Sequence, residues 1–333
     1  MSARRPTAQA TPSGVAANRA VVGMDQAVQE LRTLRDCLRH ACTRLSAAAL
    51  AYGQGTDNAW DEAVWLALWS LHLPPDRVEP FLDARLTRDE RKSFFELIER
   101  RCCERLPAAY LTGEAWLRGL RFRADPRAII PRSLIVEAME ETLDDWLAGR
   151  EPDDILDLCT GGGSIAISAA LRFAQARVDA VDLSEQALSL AAENLADHQV
   201  QDRVNLYHGD LFAPIGDRQY DLILCNPPYV NSASMRKLPA EFLAEPDTAL
   251  AGGNDGMDLI RRILADAPEA LRDGGFLLLE IGHEAPFFEA AFDALEFAYL
   301  PVAAGEDQLV LVSREQLLAA GYGATVRKPG HRR

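Results

Sequence analysis

Four consecutive residues, Asn226-Pro227-Pro228-Tyr229, bring together groups suited to one kind of chemistry. Two successive prolines fix φ and remove two backbone donors, so the carbonyls beside them face outward as acceptors. Asn226 adds a side-chain carbonyl, and Tyr229 supplies an aromatic wall. A narrow slot lined with acceptors suits a planar NH₂ group. An amide nitrogen delocalises its lone pair and attacks poorly in water, but two acceptors that each take one N–H can aim that pair at an electrophile. Transfer then depends on positioning and on exclusion of water. The proton leaves afterwards, so no strong base is required, and His283 reads as a loop residue. Asn226, Pro227, Pro228 and Tyr229 are the candidate substrate-binding residues, with Asn226, Pro227 and Tyr229 as the candidate catalytic ones.

The electrophile needs its own site, and Asp157-Leu158-Cys159-Thr160-Gly161-Gly162-Gly163-Ser164 has the character of one. It ends an apolar run and opens a helical one. Its glycines permit a sharp turn and close approach to a ligand, and the helix start offers free N–H groups. Asp182 follows 19 residues after Gly163 at the end of the next apolar run, where a carboxylate can accept both hydroxyl protons of a ribose. These residues leave the cofactor open: Gly161-x-Gly163-x-x-Ala166 also satisfies the dinucleotide fingerprint. Asp210, in Gly209-Asp210-Leu211-Phe212, shifts the balance toward S-adenosylmethionine, because it can accept from an adenine amino group while an apolar neighbour covers the ring.

Positioning these groups takes a particular set of elements. Residues 25–50 show helical spacing through Val28, Leu31, Leu34, Leu38 and Leu45. Thr56-Asp57-Asn58 caps a second helix with Trp60, Val64 and Leu68 on its apolar face, and a third spans about Arg88 to Arg105. Next come short apolar runs, of which Tyr110–Thr112 and Leu120–Arg123 are expected to pair as a hairpin. Strands are expected at Asp154–Leu158, Arg177–Asp182, Val204–His208, Tyr220–Cys225, Gly275–Ile281, Phe297–Leu300 and Gln308–Ser313. The intervening helices include Ser164–Phe173, Glu185–Ala196 and Met257–Ala267. Such β-α alternation implies a mostly parallel sheet covered on both faces, with an antiparallel pair at one edge. The expected divisions are a disordered basic tail over 1–23, a helical substrate-recognition domain over 24–105, a hairpin linker over 106–131, an α/β domain over 132–315 and a basic tail over 316–333.

Hydrophobic residues at 48% and charged residues at 26% give the chain enough material for a sizeable core. Its six cysteines form no C-x-x-C pair, which fits reduced thiols in the cytoplasm and no metal site. No apolar run approaches the length of a membrane span. The net charge is −15; residues 1–23 and 316–333 carry seven positive charges and no acid, so the body between them carries −22. Such a body repels phosphate backbones and attracts cationic partners.

With these motifs in place, the chain resembles the glutamine N5-methyltransferase family. The resemblance runs from about Met24 to Ser313 and is carried by the Asn-Pro-Pro-Tyr slot and the Asp-Leu-Cys-Thr-Gly loop. It is also carried by Gly55-Thr56-Asp57-Asn58-Ala59-Trp60-Asp61-Glu62-Ala63, by Pro107–Trp116 and by Ile130-Pro131-Arg132-Ser133. It implies a Rossmann-like, seven-stranded class I methyltransferase sheet with a small N-terminal helical domain, and S-adenosyl-L-methionine as cofactor. It further implies that Thr160, Gly161, Gly162, Gly163, Ser164, Asp182, Leu211 and Asn226 touch the cofactor and that Asn226–Tyr229 hold the glutamine; Asp157 and Asp210 complete the candidate cofactor set. Ser133 stands where relatives acting on peptide-chain release factors carry proline. That departure favours a basic large-subunit ribosomal protein (L-three) as partner, free or in an assembling subunit. Adenine methylases share the slot, but the acidic body argues against sequence-specific nucleic-acid binding. Gly162, Leu134, Asn231 and Ser232 also depart from the commoner pattern, and the last two are expected to affect grip on a basic substrate.

Overall fold

A computed structural model describes residues 23–323; the two expected tails lie largely outside them. The first unit is helical. The stretch read as one helix over 25–50 is two, Met24–Glu30 and Leu34–Ala47. The break has a local cause: Thr33 and Asp36 form a capping box that starts a new helix. Asn58 caps Ala59–Ser70 by accepting from the N–H groups of Trp60 and Asp61. Thr87 and Glu90 form a second capping box ahead of Arg88–Glu104. Leu34, Leu38, Leu45, Leu66, Phe94, Phe95 and Ile98 pack the core between these helices. Trp60, expected inside, is 44% exposed. Glu62 is buried instead, because the buried Arg101 guanidinium across the core needs a counter-charge.

The linker also differs from its expected pairing. Tyr110 and Thr112 belong to a short helix, Ala108–Thr112, which follows Pro107 and stops at Gly113 in the left-handed region. The hairpin partners are β1 (Glu114–Leu117) and β2 (Leu120–Arg123). Arg118 and Gly119 join them with φ of 50° and 81°, the two positive values that a tight hairpin turn demands.

The remaining strands form one seven-stranded sheet. They are β3 (Asp154–Leu158), β4 (Arg177–Asp182), β5 (Val204–His208), β6 (Tyr220–Cys225), β7 (Leu271–Glu280), β8 (Ala298–Tyr299) and β9 (Leu309–Ser313). Their order is β5-β4-β3-β6-β7-β9-β8, parallel except for β9, which pairs antiparallel with both neighbours. Leu222, Ile223, Leu224 and Cys225 of β6 are all fully buried, as expected of a central strand covered on both faces. The tail expected from residue 316 instead begins inside a helix, Arg314–Ala319. Leu317 is buried there and Tyr322 packs on the core, so apolar burial carries the domain past the expected boundary. Among the described residues no helix is long and apolar enough to cross a membrane.

Candidate active site

Strand order reverses between β3 and β6. In an open parallel sheet the crevice at the carboxyl ends of such a strand pair is where ligands bind. The glycine loop leaves β3 at this point and Asn226 leaves β6. Asp182 ends β4, and Asp210 and Leu211 follow β5. A cavity of about 410 Å³ opens there, lined by Gly161, Asp182, Asp210, Leu211, Asn226 and Pro228 among others. That volume falls in the range of small-molecule sites.

The loop divides its labour. Cys159 and Gly161 line the cavity, whereas Thr160, Gly162, Gly163 and Ser164 lie behind that wall. The Thr160 N–H donates to the Val181 carbonyl. Asn194 donates to the Gly162 carbonyl at 2.9 Å. Gly163, with φ of 82°, packs so closely on the helix Glu185–His198 that an added Cβ would sit 3.1 Å from that of Ala191. Asp157 is fully buried. Its Oδ2 accepts the Thr160 hydroxyl at 2.5 Å and the Ala166 N–H at 3.0 Å, while Oδ1 has no partner. Burial raises its carboxyl to about 7, against the two hydrogen bonds that lower it.

Asp182 accepts the Gly161 N–H at 2.7 Å on Oδ2 and the Ser184 N–H at 2.8 Å on Oδ1. Burial raises its carboxyl and these bonds oppose the shift. Each oxygen retains a second lone pair, so two further donors can be satisfied. Asp210 is more exposed than expected for a base-reading group, and its Oδ2 takes Arg262 at 2.7 Å. Leu211 is buried, with φ of 50°.

In the slot, Asn226 and Pro228 line the cavity and Pro227 is buried behind them. The neighbouring Tyr229 and Asn231 direct their polar groups to Glu280 and Glu284. The Asn226 amide has no such partner among the described residues. Tyr229 does not stand as the expected open wall. Its ring lies over Gly282, where a Cβ would approach to 2.5 Å, and its carbonyl abuts Gly256. Its hydroxyl donates to the buried Glu280 at 3.3 Å; Glu280 also accepts the Ser133 hydroxyl at 2.6 Å and the Leu134 N–H at 3.0 Å. Burial raises both the Glu280 carboxyl and the Tyr229 phenol. Tyr229 therefore fixes the backbone of the slot, and Ser133 supports it through Glu280.

Asn231 and Ser232 point inward, contrary to a role in gripping substrate. Asn231 caps the helix Ser232–Met235 and donates to Glu284 at 2.8 Å, so an acid there would face a like charge. The Ser232 hydroxyl donates to the Gly253 carbonyl. His283 is exposed and lies outside the cavity lining. Two walls escaped the sequence reading: Ala128 and Ile129 of the linker, and Pro246, Thr248 and Ala249 of the long loop after the slot. Neither has a periodic or glycine signature. The one available signal for the second wall was its pair of glutamates, Glu241 and Glu245, set in a mostly apolar stretch.

Known proteins align with these units. Residues 36–113 match the family model of the PrmC N-terminal domain, and residues 133–255 match that of the methyltransferase small domain. The chain is 57% identical over 292 residues to the ribosomal protein uL3 glutamine methyltransferase of Bordetella pertussis, covering 87% of this chain and 97% of that one. The protein of the same name from Burkholderia pseudomallei is 50% identical, over 86% of this chain and 96% of its own. The one from Neisseria gonorrhoeae is 46% identical, over 88% and 98%.

Proposed function

The chain belongs to the ribosomal protein uL3 glutamine methyltransferase family, and we propose that it methylates the side-chain amide nitrogen of a glutamine in ribosomal protein uL3. The observation that carries this reading is the placement of Asn226, which lines the same cavity as Asp182, at the reversal of strand order. S-adenosylmethionine, when bound, supplies an electrophilic methyl group on a sulfonium sulfur. The residues fit such a donor. Asp182 has two lone pairs for ribose hydroxyls and Leu211 offers an apolar cover, while Asp157 stays fully buried outside the cavity lining. Asp210 keeps Oδ1 for an amine.

The Asn226 side-chain carbonyl and the Pro227 carbonyl each accept one N–H of the substrate amide, which turns its lone pair into the cavity. The Glu280–Tyr229 contact holds the backbone that presents these acceptors. The amide proton leaves after transfer, so no buried base is needed. The acidic body supplies long-range attraction for a basic ribosomal protein.

Methylation of purified uL3, with tandem mass spectrometry to place the added methyl, tests the assignment; a product without a methyl on glutamine would refute it. The same assay checks the electrostatics: kcat/KM is expected to fall as salt rises. A salt-independent value would mean that the surface charge serves solubility alone.

Asp182→Ala is expected to weaken S-adenosylhomocysteine binding by ~1–3 kcal/mol, because the buried ribose hydroxyls lose their acceptor. Calorimetry on the variant and wild type measures the difference. Binding of NAD in place of S-adenosylhomocysteine would reassign the pocket.

A further inference from the structure

Between Val230 and Leu250 the chain leaves the slot as a strap and returns to its starting point. The Val230 N–H donates to Leu250, and the Gly252 N–H donates back to Val230, so the base of the strap is closed. Near its end the strap supplies Pro246, Thr248 and Ala249 to the cavity wall. Between base and wall it carries two carboxylates, Glu241 at 0% exposure and Glu245 at 3%. Both are held by residues distant in sequence.

Glu241 Oε1 lies 2.7 Å from Arg105 and 3.6 Å from Arg101, and it accepts the Ala51 N–H at 3.2 Å. Gln54 donates both to the Glu241 carbonyl and to the Glu245 carboxylate. Arg132, the first residue of the α/β domain, closes on Glu245 at 2.9 Å and lies over the Phe242 ring. Gln54, Arg101 and Arg105 come from the helical domain or its end, and none of them lines the cavity. Burying so many charged groups is costly unless close pairing offsets their desolvation. Here the paired carboxylates lie just before the three wall residues in the chain.

We propose that the helical domain is a positioning element for the methyl-donor cavity: Gln54, Arg101 and Arg105 hold the strap by Glu241 and Glu245 and thereby set the Pro246–Ala249 wall. Cofactor affinity is therefore coupled to a domain that does not touch the cofactor, and ligand in the cavity stiffens the grip of that domain in return.

The inference rests on the cavity being the S-adenosylmethionine site, which binding of S-adenosylhomocysteine by the wild-type protein checks first. The full-length variants Gln54→Ala and Glu245→Gln are then compared with Arg44→Met. Arg44 pairs with Glu99 at 2.6 Å inside the helical domain, away from the strap. Calorimetry is expected to show S-adenosylhomocysteine affinity lowered at least ~5-fold by Gln54→Ala and Glu245→Gln, in the range typical of coupled sites. Arg44→Met is expected to lower thermal stability and leave that affinity unchanged. Wild-type affinity in folded Gln54→Ala and Glu245→Gln would overturn the proposal. An equal loss in Arg44→Met would do so too, since it would reduce the effect to general destabilisation. A wild-type protein that fails to bind S-adenosylhomocysteine would count against the cofactor assignment itself.

Discussion

Asn226→Ala is expected to slow methyl transfer at least ~100-fold, the scale of losing one preorganised polar group at a reacting centre. Asn226 lines the cavity directly after β6, and its side chain has no hydrogen-bond partner among the described residues. Its contribution therefore falls on orienting the nucleophile, an effect greatest at the transition state. Alanine removes the acceptor and admits water; Asn226→Asp keeps an acceptor and the shape but adds a charge at the cavity. S-adenosylhomocysteine affinity is expected to change far less than turnover in the alanine variant. Single-turnover transfer on purified uL3, paired with calorimetry, separates the two. Near-wild-type transfer by Asn226→Ala would remove the mechanism. A joint collapse of turnover and cofactor affinity would place Asn226 in the donor pocket and leave orientation to the Pro227 carbonyl.

The second large effect is on stability. Arg101→Met is expected to cost ~3–5 kcal/mol near neutral pH, the range for removing one member of a buried ion pair. Arg101 is 1% exposed, with Nε 2.8 Å from Glu62, and its Nη2 donates to the Ala51 carbonyl at 3.0 Å. Glu241 keeps Arg105, but among the described residues Glu62 retains only the Thr56 hydroxyl as a donor. Burial already raises the Glu62 carboxyl, and Arg101 is the main group opposing that shift. Without Arg101 the folded-state value rises further above the unfolded one, so the folded state binds the extra proton. A carboxylate shifted upward costs stability as pH increases from its unfolded value through its folded one. The deficit is therefore expected to be smaller at about pH 5 than at about pH 8, as chemical denaturation at both will measure. Glu62→Met in the same background is expected to recover part of it. A pH-independent loss below ~1 kcal/mol would mean that desolvation cancels the pair.

The sequence by itself determined whatever depends on neighbours in the chain. Strand positions over 154–158, 177–182, 204–208 and 220–225 follow from apolar runs bounded by turn residues. The β-α alternation dictates a parallel sheet, and the sheet brings the ends of β3, β4, β5 and β6 to one rim. Gly161, Asp182, Leu211 and Asn226 meet at a common cavity for that reason. Local competition already limited this legibility: the Thr33 capping box divided one apparent helix, and the Arg118-Gly119 turn set a hairpin register that apolar content alone missed.

The tertiary structure alone decided which groups face one another across long separations. Ser133 and Glu280 are 147 residues apart, and Gln54 and Glu241 are 187 apart. Neither contact leaves a local pattern, since a buried carboxylate and a solvated one are the same letter. Burial of Glu280 captures the Tyr229 hydroxyl and makes that ring a brace for the slot. Burial of Glu241 and Glu245 turns an irregular loop into a wall of the cavity. Whether a polar side chain serves solvent, substrate or scaffold depends on the desolvation and partners that packing imposes, and these exist only once the chain has folded.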